Sequence, residues 1–294
     1  MLERTCFTVA LLALGCASAA ATGPQDVFRA VRTSLAKVVA ASPEGRVFFG
    51  SAVALPDGKL VTNCHVTRLA ERISLAQGGA SLAVLTQADD VAHDLCQLSV
   101  TGADLRPATL RPSRTLQIGE PVYAVGFNRG LGLTYQAGQV SELFEYDGAM
   151  VIRTTAAFTT GASGGGLFDA DGRLVGILAF VRVERNREFS YFALPVEWLL
   201  ASARAKPIAP LEGIAFWAET ADKQPSFMRA AQLETDSRWD DLIAMAKEWS
   251  TRSPQDGHAW LSLGKGLLKQ GDESAATEAF RRAAEHGVMQ SALP

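Results

Sequence analysis

The hydrophobic positions of this chain change rhythm once. Between about residues 40 and 194 they come in short runs broken by turn signals such as Pro56-Asp57-Gly58, Asp147-Gly148 and Asp171-Gly172. That rhythm predicts short strands joined by tight turns, hence an antiparallel barrel protein. Phe192-Ala193-Leu194-Pro195-Val196-Glu197-Trp198-Leu199-Leu200 predicts a last strand turning into a helix. Ala205 to Pro210, which includes Pro207, predicts a linker, and beyond it the apolar spacing becomes helical.

The helical tail repeats with a period of about 34 residues. Trp260, Leu263, Gly264, Leu267, Gly271, Ala276, Phe280 and Ala283 resemble the tetratricopeptide spacing. Ser226, Ala230, Leu233, Ser237, Leu242, Ala246 and Pro254 hold the same frame more loosely one period earlier. Two helix pairs are expected, with small residues at Gly264, Ala276 and Ala283 for close approach and Trp260 and Phe280 between the pairs. Such arrays usually need about three repeats, so this unit is expected to lean on the barrel region or a second subunit. It is either a protein-docking module or a packed helical cap, and His258 and His286 read as helix-end residues.

The first residues carry an address. Arg4, an apolar stretch from Phe7 to Leu14 and small residues through Ala21 read as a secretory signal, too short for a membrane span. Ala17-Ser18-Ala19 suits cleavage before Ala20. Leu12-Ala13-Leu14-Gly15-Cys16 partly resembles a lipobox, which would lipidate Cys16 and is the one route to a membrane. An exported chain, of bacterial periplasmic type, is expected.

The chemistry centres on Ser163 in Gly161-Ala162-Ser163-Gly164-Gly165-Gly166. Glycines let the backbone turn sharply and aim N–H groups at one point, as an oxyanion requires; Gly161 and Ser163 are the expected donors. A serine hydroxyl also needs an imidazole base, and the imidazole needs a carboxylate to fix its tautomer. His65 follows the apolar run Leu60-Val61-Thr62, and Asp94 opens Leu95-Cys96-Gln97-Leu98. His93 competes with His65, and Asp89 and Asp90 with Asp94, but none has the same strand-end setting. The order His65, Asp94, Ser163 is that of two-barrel serine proteases. A serine esterase more often has the order Ser, Asp, His in an α/β sheet.

With these residues in place, the stretch from about 38 to 198 resembles a trypsin-like serine protease domain of the bacterial HtrA (Deg) type. Gly50-Ser51-Ala52-Val53-Ala54, Val61-Thr62-Asn63-Cys64-His65-Val66, Val125-Gly126-Phe127 and Ala137-Gly138-Gln139-Val140-Ser141 match the family pattern in order. So do Thr154-Thr155-Ala156-Ala157, Gly166-Leu167-Phe168 and Gly172-Arg173-Leu174-Val175-Gly176-Ile177. The resemblance implies an all-β double β-barrel followed by a small all-α helical-repeat domain. The expected boundaries are a signal at 1–21, protease domain at 22–204, linker at 205–222 and helical repeats at 223–290.

Departures matter as well. Thr160 and Ala162 stand where the family usually has proline and asparagine, and helical repeats rather than the family's usual PDZ domain are expected after the protease region. The pocket positions are Ala157, where trypsins carry an acid, and Leu178-Ala179-Phe180-Val181 on the opposite wall. A shallow apolar pocket for small aliphatic residues is expected, with the substrate adding as a strand beside 178–181. Cys64 and Cys96 flank the triad members, and they read either as a disulfide allowed by an oxidising compartment or as two small buried thiols. Polypeptide substrates are expected, together with a protein partner if the repeats dock one. The alternative is a protease-fold binding protein or chaperone acting through its helices.

Length and charge narrow the rest. The chain has 294 residues, 48% of them hydrophobic, and a formal net charge of −3. It can bury a sizeable core in two folded regions, and without a basic stripe it has no surface for nucleic acid. Arg182, Arg185 and Arg187 read as charge on an exposed loop. No phosphate loop, dinucleotide fingerprint or metal-ligand cluster is present, so no cofactor or metal is expected.

Overall fold

The computed structural model describes residues 23–183, 188–200 and 204–289. The expected signal with Cys16, and Arg185 and Arg187, lie outside the described residues. After helix α1 (Pro24–Val31) come strands β1 (Leu35–Ala41), β2 (Val47–Ala54), β3 (Leu60–Thr62), β4 (Arg72–Gln77), β5 (Ala80–Asp90) and β6 (Leu95–Val100). They pair antiparallel in the order β4-β1-β2-β3-β6-β5, and β5 returns to β4 to close a barrel. Alternation builds it: Val38 and Ala40 of β1 are fully buried, while Lys37 and Val39 between and beside them lie nearer the surface. The Pro56-Asp57-Gly58 signal becomes the β2–β3 turn, with Gly58 at φ +81° and Leu55 N–H donating to Lys59 O.

A second closed barrel uses β7 (Pro121–Phe127), β8 (Leu133–Tyr146), β9 (Ala149–Thr154), β10 (Gly166–Asp169), β11 (Leu174–Val183) and β12 (Phe189–Pro195). Its order is β10-β11-β12-β9-β8-β7, closed by β7 on β10. Asp147 and Gly148, both at positive φ, form the two-residue β8–β9 turn, the geometry favoured by right-twisted strands. The residues after β12, Val196–Leu200, form a single 3₁₀ segment.

The segment after the second barrel is held down along the first. Strand β13 (Lys206–Pro207) pairs with β5, Leu211 N–H donates to Arg68 O at 2.8 Å, and Phe216 N–H donates to Ala92 O at 2.9 Å. Its prolines predicted a break from regular structure; they do not prevent backbone pairing at this edge. The chain then forms α3 (Ser226–Thr235), α4 (Trp239–Arg252), α5 (Gly257–Gln270) and α6 (Glu273–Glu285). Asp256 and Asp272 accept from the amides of His258 and Ala275 as N-caps, and Gly271 ends α5 in the left-handed conformation. A Cβ on Gly264 would lie 2.5 Å from the Phe280 ring, so glycine sets the α5–α6 approach.

These helices lean on the second barrel. Phe227 of α3 stacks on Phe144 of β8 with ring centroids 4.4 Å apart, and His258 Nε2 lies 3.0 Å from Leu143 O. Phe227, Met228, Met245 and Trp249 share one apolar cluster with Phe144, Phe180 and Phe192. Burial against the barrel supplies the surface that two helix pairs cannot make alone.

Candidate active site

β3 ends at Thr62, and the chain turns through Asn63 into the short helix α2 (Cys64–Thr67), which carries His65. Asp94 sits in the β5–β6 connection at φ +59°, a conformation costly for a residue with a side chain. Surrounding bonds hold it there: Asp94 O accepts from Cys64 N–H at 3.2 Å and from Asn63 Nδ2 at 3.0 Å. Its carboxylate is 1% exposed, with Oδ1 accepting from His65 N–H at 2.8 Å and Oδ2 lying 2.7 Å from His65 Nδ1. A carboxylate can only accept, so Nδ1 carries the proton and Nε2 of the neutral ring is left as a base. Beside this pair the Cys64 and Cys96 sulfurs are 2.11 Å apart, with Cα atoms separated by 4.9 Å.

The other candidates are engaged elsewhere. His93 Nδ1 faces Asp90 Oδ2 at 2.7 Å and its Nε2 faces Asp147 Oδ2 at 2.8 Å. Asp89 pairs with Lys206 Nζ at 3.2 Å. Neither His93 nor the two upstream carboxylates meets Ser163.

Ser163 lies in the β9–β10 connection, half-buried, and its hydroxyl donates to Ala179 O at 3.4 Å. Gly161 at φ +93° and Gly164 at φ +83° make the turn that presents it. The amides of Gly161 and Ser163, expected as oxyanion donors, take no backbone acceptor among the described residues. Ser51, fully buried on β2, fastens this loop to the first barrel. Its N–H donates to Ser163 O at 2.8 Å and its hydroxyl to Gly161 O at 2.9 Å, while Phe127 N–H donates back to that hydroxyl at 2.9 Å. In the sequence Ser51 stands out only as part of the family-like segment Gly50-Ser51-Ala52-Val53-Ala54. The preceding Gly50 marks close packing here, since a Cβ on it would lie 2.6 Å from Val66.

Of the pocket positions, Ala157 is half-buried and Val181 is 39% exposed. Leu178 and Ala179 are buried, their carbonyls accepting from Gly164 N–H and Ser163 Oγ respectively. Phe180, expected on the pocket wall, instead turns its ring into the core, stacked on Phe192 at 4.6 Å. The residue on its other side, Trp217, was not anticipated at the site. Its indole Nε1–H donates to Asp94 Oδ2 at 3.2 Å, and its ring stacks on Phe180 at 5.2 Å.

Two closed antiparallel barrels with a histidine, a buried aspartate and a glycine-bracketed serine around them define the trypsin-like class of serine peptidases. Residues 50–177 match the family described as trypsin-like peptidase domain. A probable periplasmic serine endoprotease DegP-like of Halomonas elongata is 33% identical over 164 residues, 53% of this chain and 34% of that protein. The crystal structure of the serine endoprotease from Yersinia pestis is 29% identical with a TM-score of 0.53, over 60% of this chain and 64% of that one. The Rv3671c protease from M. tuberculosis in its active form has a TM-score of 0.57 over 73% of this chain and 98% of that one; at 21% identity it speaks for the fold alone. The chain spans about a third of the length of the curated relatives it matches. Its double barrel is similar to trypsin-like peptidase domains of the HtrA type.

Proposed function

We propose that this chain is an exported serine endopeptidase. Ser163 attacks a peptide carbonyl, His65 takes the serine proton on Nε2, and Asp94 holds the imidazole with its Nδ1 proton in place. The Gly161 and Ser163 amides receive the oxyanion, His65 returns the proton to the leaving amine, and water then releases the acyl group from Ser163. The observation that carries this reading is the buried Asp94 carboxylate, which engages both the backbone N–H and the ring Nδ1 of His65. At rest the Ser163 hydroxyl is on Ala179 O; the reaction requires it to leave that carbonyl for His65 Nε2, a tightening that substrate binding brings about.

Ala157 and the exposed Val181 favour small aliphatic side chains before the cleaved bond, and the backbone of 178–181 offers an edge for the substrate strand. Fit of this kind discriminates weakly, so unfolded or partner polypeptides are cut broadly. Similarity to a probable periplasmic DegP-like endoprotease supports a periplasmic location.

A protease-fold binding protein acting through its helices is a second reading. It is favoured by a cleft of about 810 Å³ between the second barrel and the helices, lined by Phe144, Trp239, Trp249, His258, Glu234 and Lys265. Incubation of the mature protein and Ser163→Ala with unfolded casein and a fluorophosphonate decides between them. Cleavage and labelling by the first and not the second are expected; an inert wild-type protein would favour the binding reading.

A further inference from the structure

We propose that Trp217 is a positioning residue of the catalytic pair, so that the Asp94 setting is completed by a residue downstream of both barrels. The inference rests on the reading of His65, Asp94 and Ser163 as a triad.

A carboxylate enclosed by protein is tolerable only when its lone pairs are met by donors. At Asp94, His65 supplies two of them, the backbone N–H to Oδ1 and Nδ1–H to Oδ2. The third is Trp217 Nε1–H, also to Oδ2. Oδ2, the oxygen that holds the His65 ring, is thus shared with Trp217, and the indole N–H limits its freedom to rotate away from the imidazole. Trp217 also presents its ring edge-on to His65, with centroids 5.6 Å apart and planes at 90°.

The indole is itself held firmly. Its stack on Phe180 fixes the ring plane, and Phe216 beside it packs on Tyr146 at 4.9 Å while its N–H donates to Ala92 O, two residues before Asp94. From the other direction Gln224 Nε2 donates to Trp217 O at 3.1 Å and to Glu219 O at 2.9 Å, and α3 begins two residues later. A short, doubly anchored segment thus joins the catalytic aspartate to the start of the helical region. Residues 50–177, the part that matches the peptidase family, do not contain this donor.

The test uses the full chain. Trp217→Phe keeps an aromatic ring on Phe180 and removes the N–H; Ser163→Ala runs beside it. Expected for Trp217→Phe are a fall in kcat of about tenfold or more, the effect of one lost hydrogen bond to a charged group, and a KM changed less than twofold. The low-field proton resonance of His65 Nδ1–H should also move. An unchanged kcat and unchanged resonance, with Ser163→Ala inactive, would overturn the role of Trp217 and leave the triad standing. Full activity in Ser163→Ala would overturn both. Should Trp217→Phe fail to fold, the indole N–H resonances of the wild-type protein decide: one must shift when fluorophosphonate occupies Ser163, and five unmoved resonances sink the proposal.

Discussion

His93 Nε2 lies 2.8 Å from Asp147 Oδ2, so a histidine adjoining Asp94 bridges the first barrel to the β8–β9 turn of the second. Its Nδ1 faces Asp90, and its ring lies 4.2 Å from that of Trp198, whose own Nε1–H donates to Asp147 O at 3.0 Å. Two carboxylates, one at each ring nitrogen, call for a donor on both, which is the protonated imidazole.

This bridge is expected to make the pairing of the two barrels depend on pH. The hydrogen bond to Asp90, with the charges of Asp90 and Asp147, raises the His93 pKa above its ordinary 6.5 despite burial. At Asp90, burial pushes the pKa up, but the His93 ring and amide outweigh it and hold the carboxyl below its ordinary 3.8. The histidine's contribution is full below about pH 6.5 and is lost as pH rises through the raised value; the aspartate's is full above about pH 3.8 and is lost as pH falls through the lowered one. His93→Gln should lower the unfolding temperature by a few degrees at pH 6, about 1 kcal/mol given the exposure of Asp147, and by much less at pH 9. Thermal unfolding across that range checks it; an equal loss at both ends counts against the bridge.

What could be read in the sequence was what is local. Ser163 between glycines, His65 at a strand end and Asp94 opening the next strand each carry their signal within a few residues. Trp217 carries none: it lies 123 positions from Asp94 in a segment with the look of a linker, and only the path of that segment along the first barrel brings it to the carboxylate. Ser51 is similar, since its two contacts with the nucleophile loop cross more than a hundred residues. Phe180 alternates as a pocket residue should, but the aromatic cluster of Phe192, Phe216 and Trp217 offers its ring more burial than a pocket would. The need of the helices for a supporting surface was legible from their number; that β8 supplies it was not.

Removing the Ser51 hydroxyl tests how the Ser163 loop is held. Ser51→Ala leaves Gly161 O and Phe127 N–H without their partner in a dry interior, at a cost of about 1–3 kcal/mol. Because Gly161 is an oxyanion donor in the proposed mechanism, kcat should fall about 10–100-fold with KM little changed. Steady-state kinetics on a fluorogenic peptide measures this; a loss of stability with kcat intact would make Ser51 a packing residue only.

The Cys64–Cys96 link would close a loop with a sequence separation of 32 around His65 and Asp94. Tying such a loop contributes about 3–4 kcal/mol by restricting the unfolded chain. The oxidised protein should resist alkylation without reductant, and the Cys64→Ser/Cys96→Ser double variant should unfold at lower temperature. Two alkylated thiols in the untreated mature protein would show the link to be absent.

The glycines around the site are not equivalent, and the difference follows from what surrounds each. Gly164 is at φ +83°, and a Cβ there would lie 2.1 Å from Ser51 O and 2.4 Å from Thr62 Oγ1, two atoms of the first barrel that Thr62 Oγ1–H joins by donating to Ser51 O at 2.7 Å. One is a backbone atom of a paired strand and the position needs positive φ, so the Ser163 loop would have to move, and Gly164→Ala should abolish fluorophosphonate labelling and reduce the yield of folded protein. Gly132 immediately precedes β8, but a Cβ there meets nothing within 4 Å, and its φ lies outside the left-handed range. Gly132→Ala should therefore label at close to the wild-type rate and unfold within about 1 kcal/mol of it. Equal damage from the two substitutions would mean that backbone freedom near residue 132, and not the close fit at residue 164, limits the reaction.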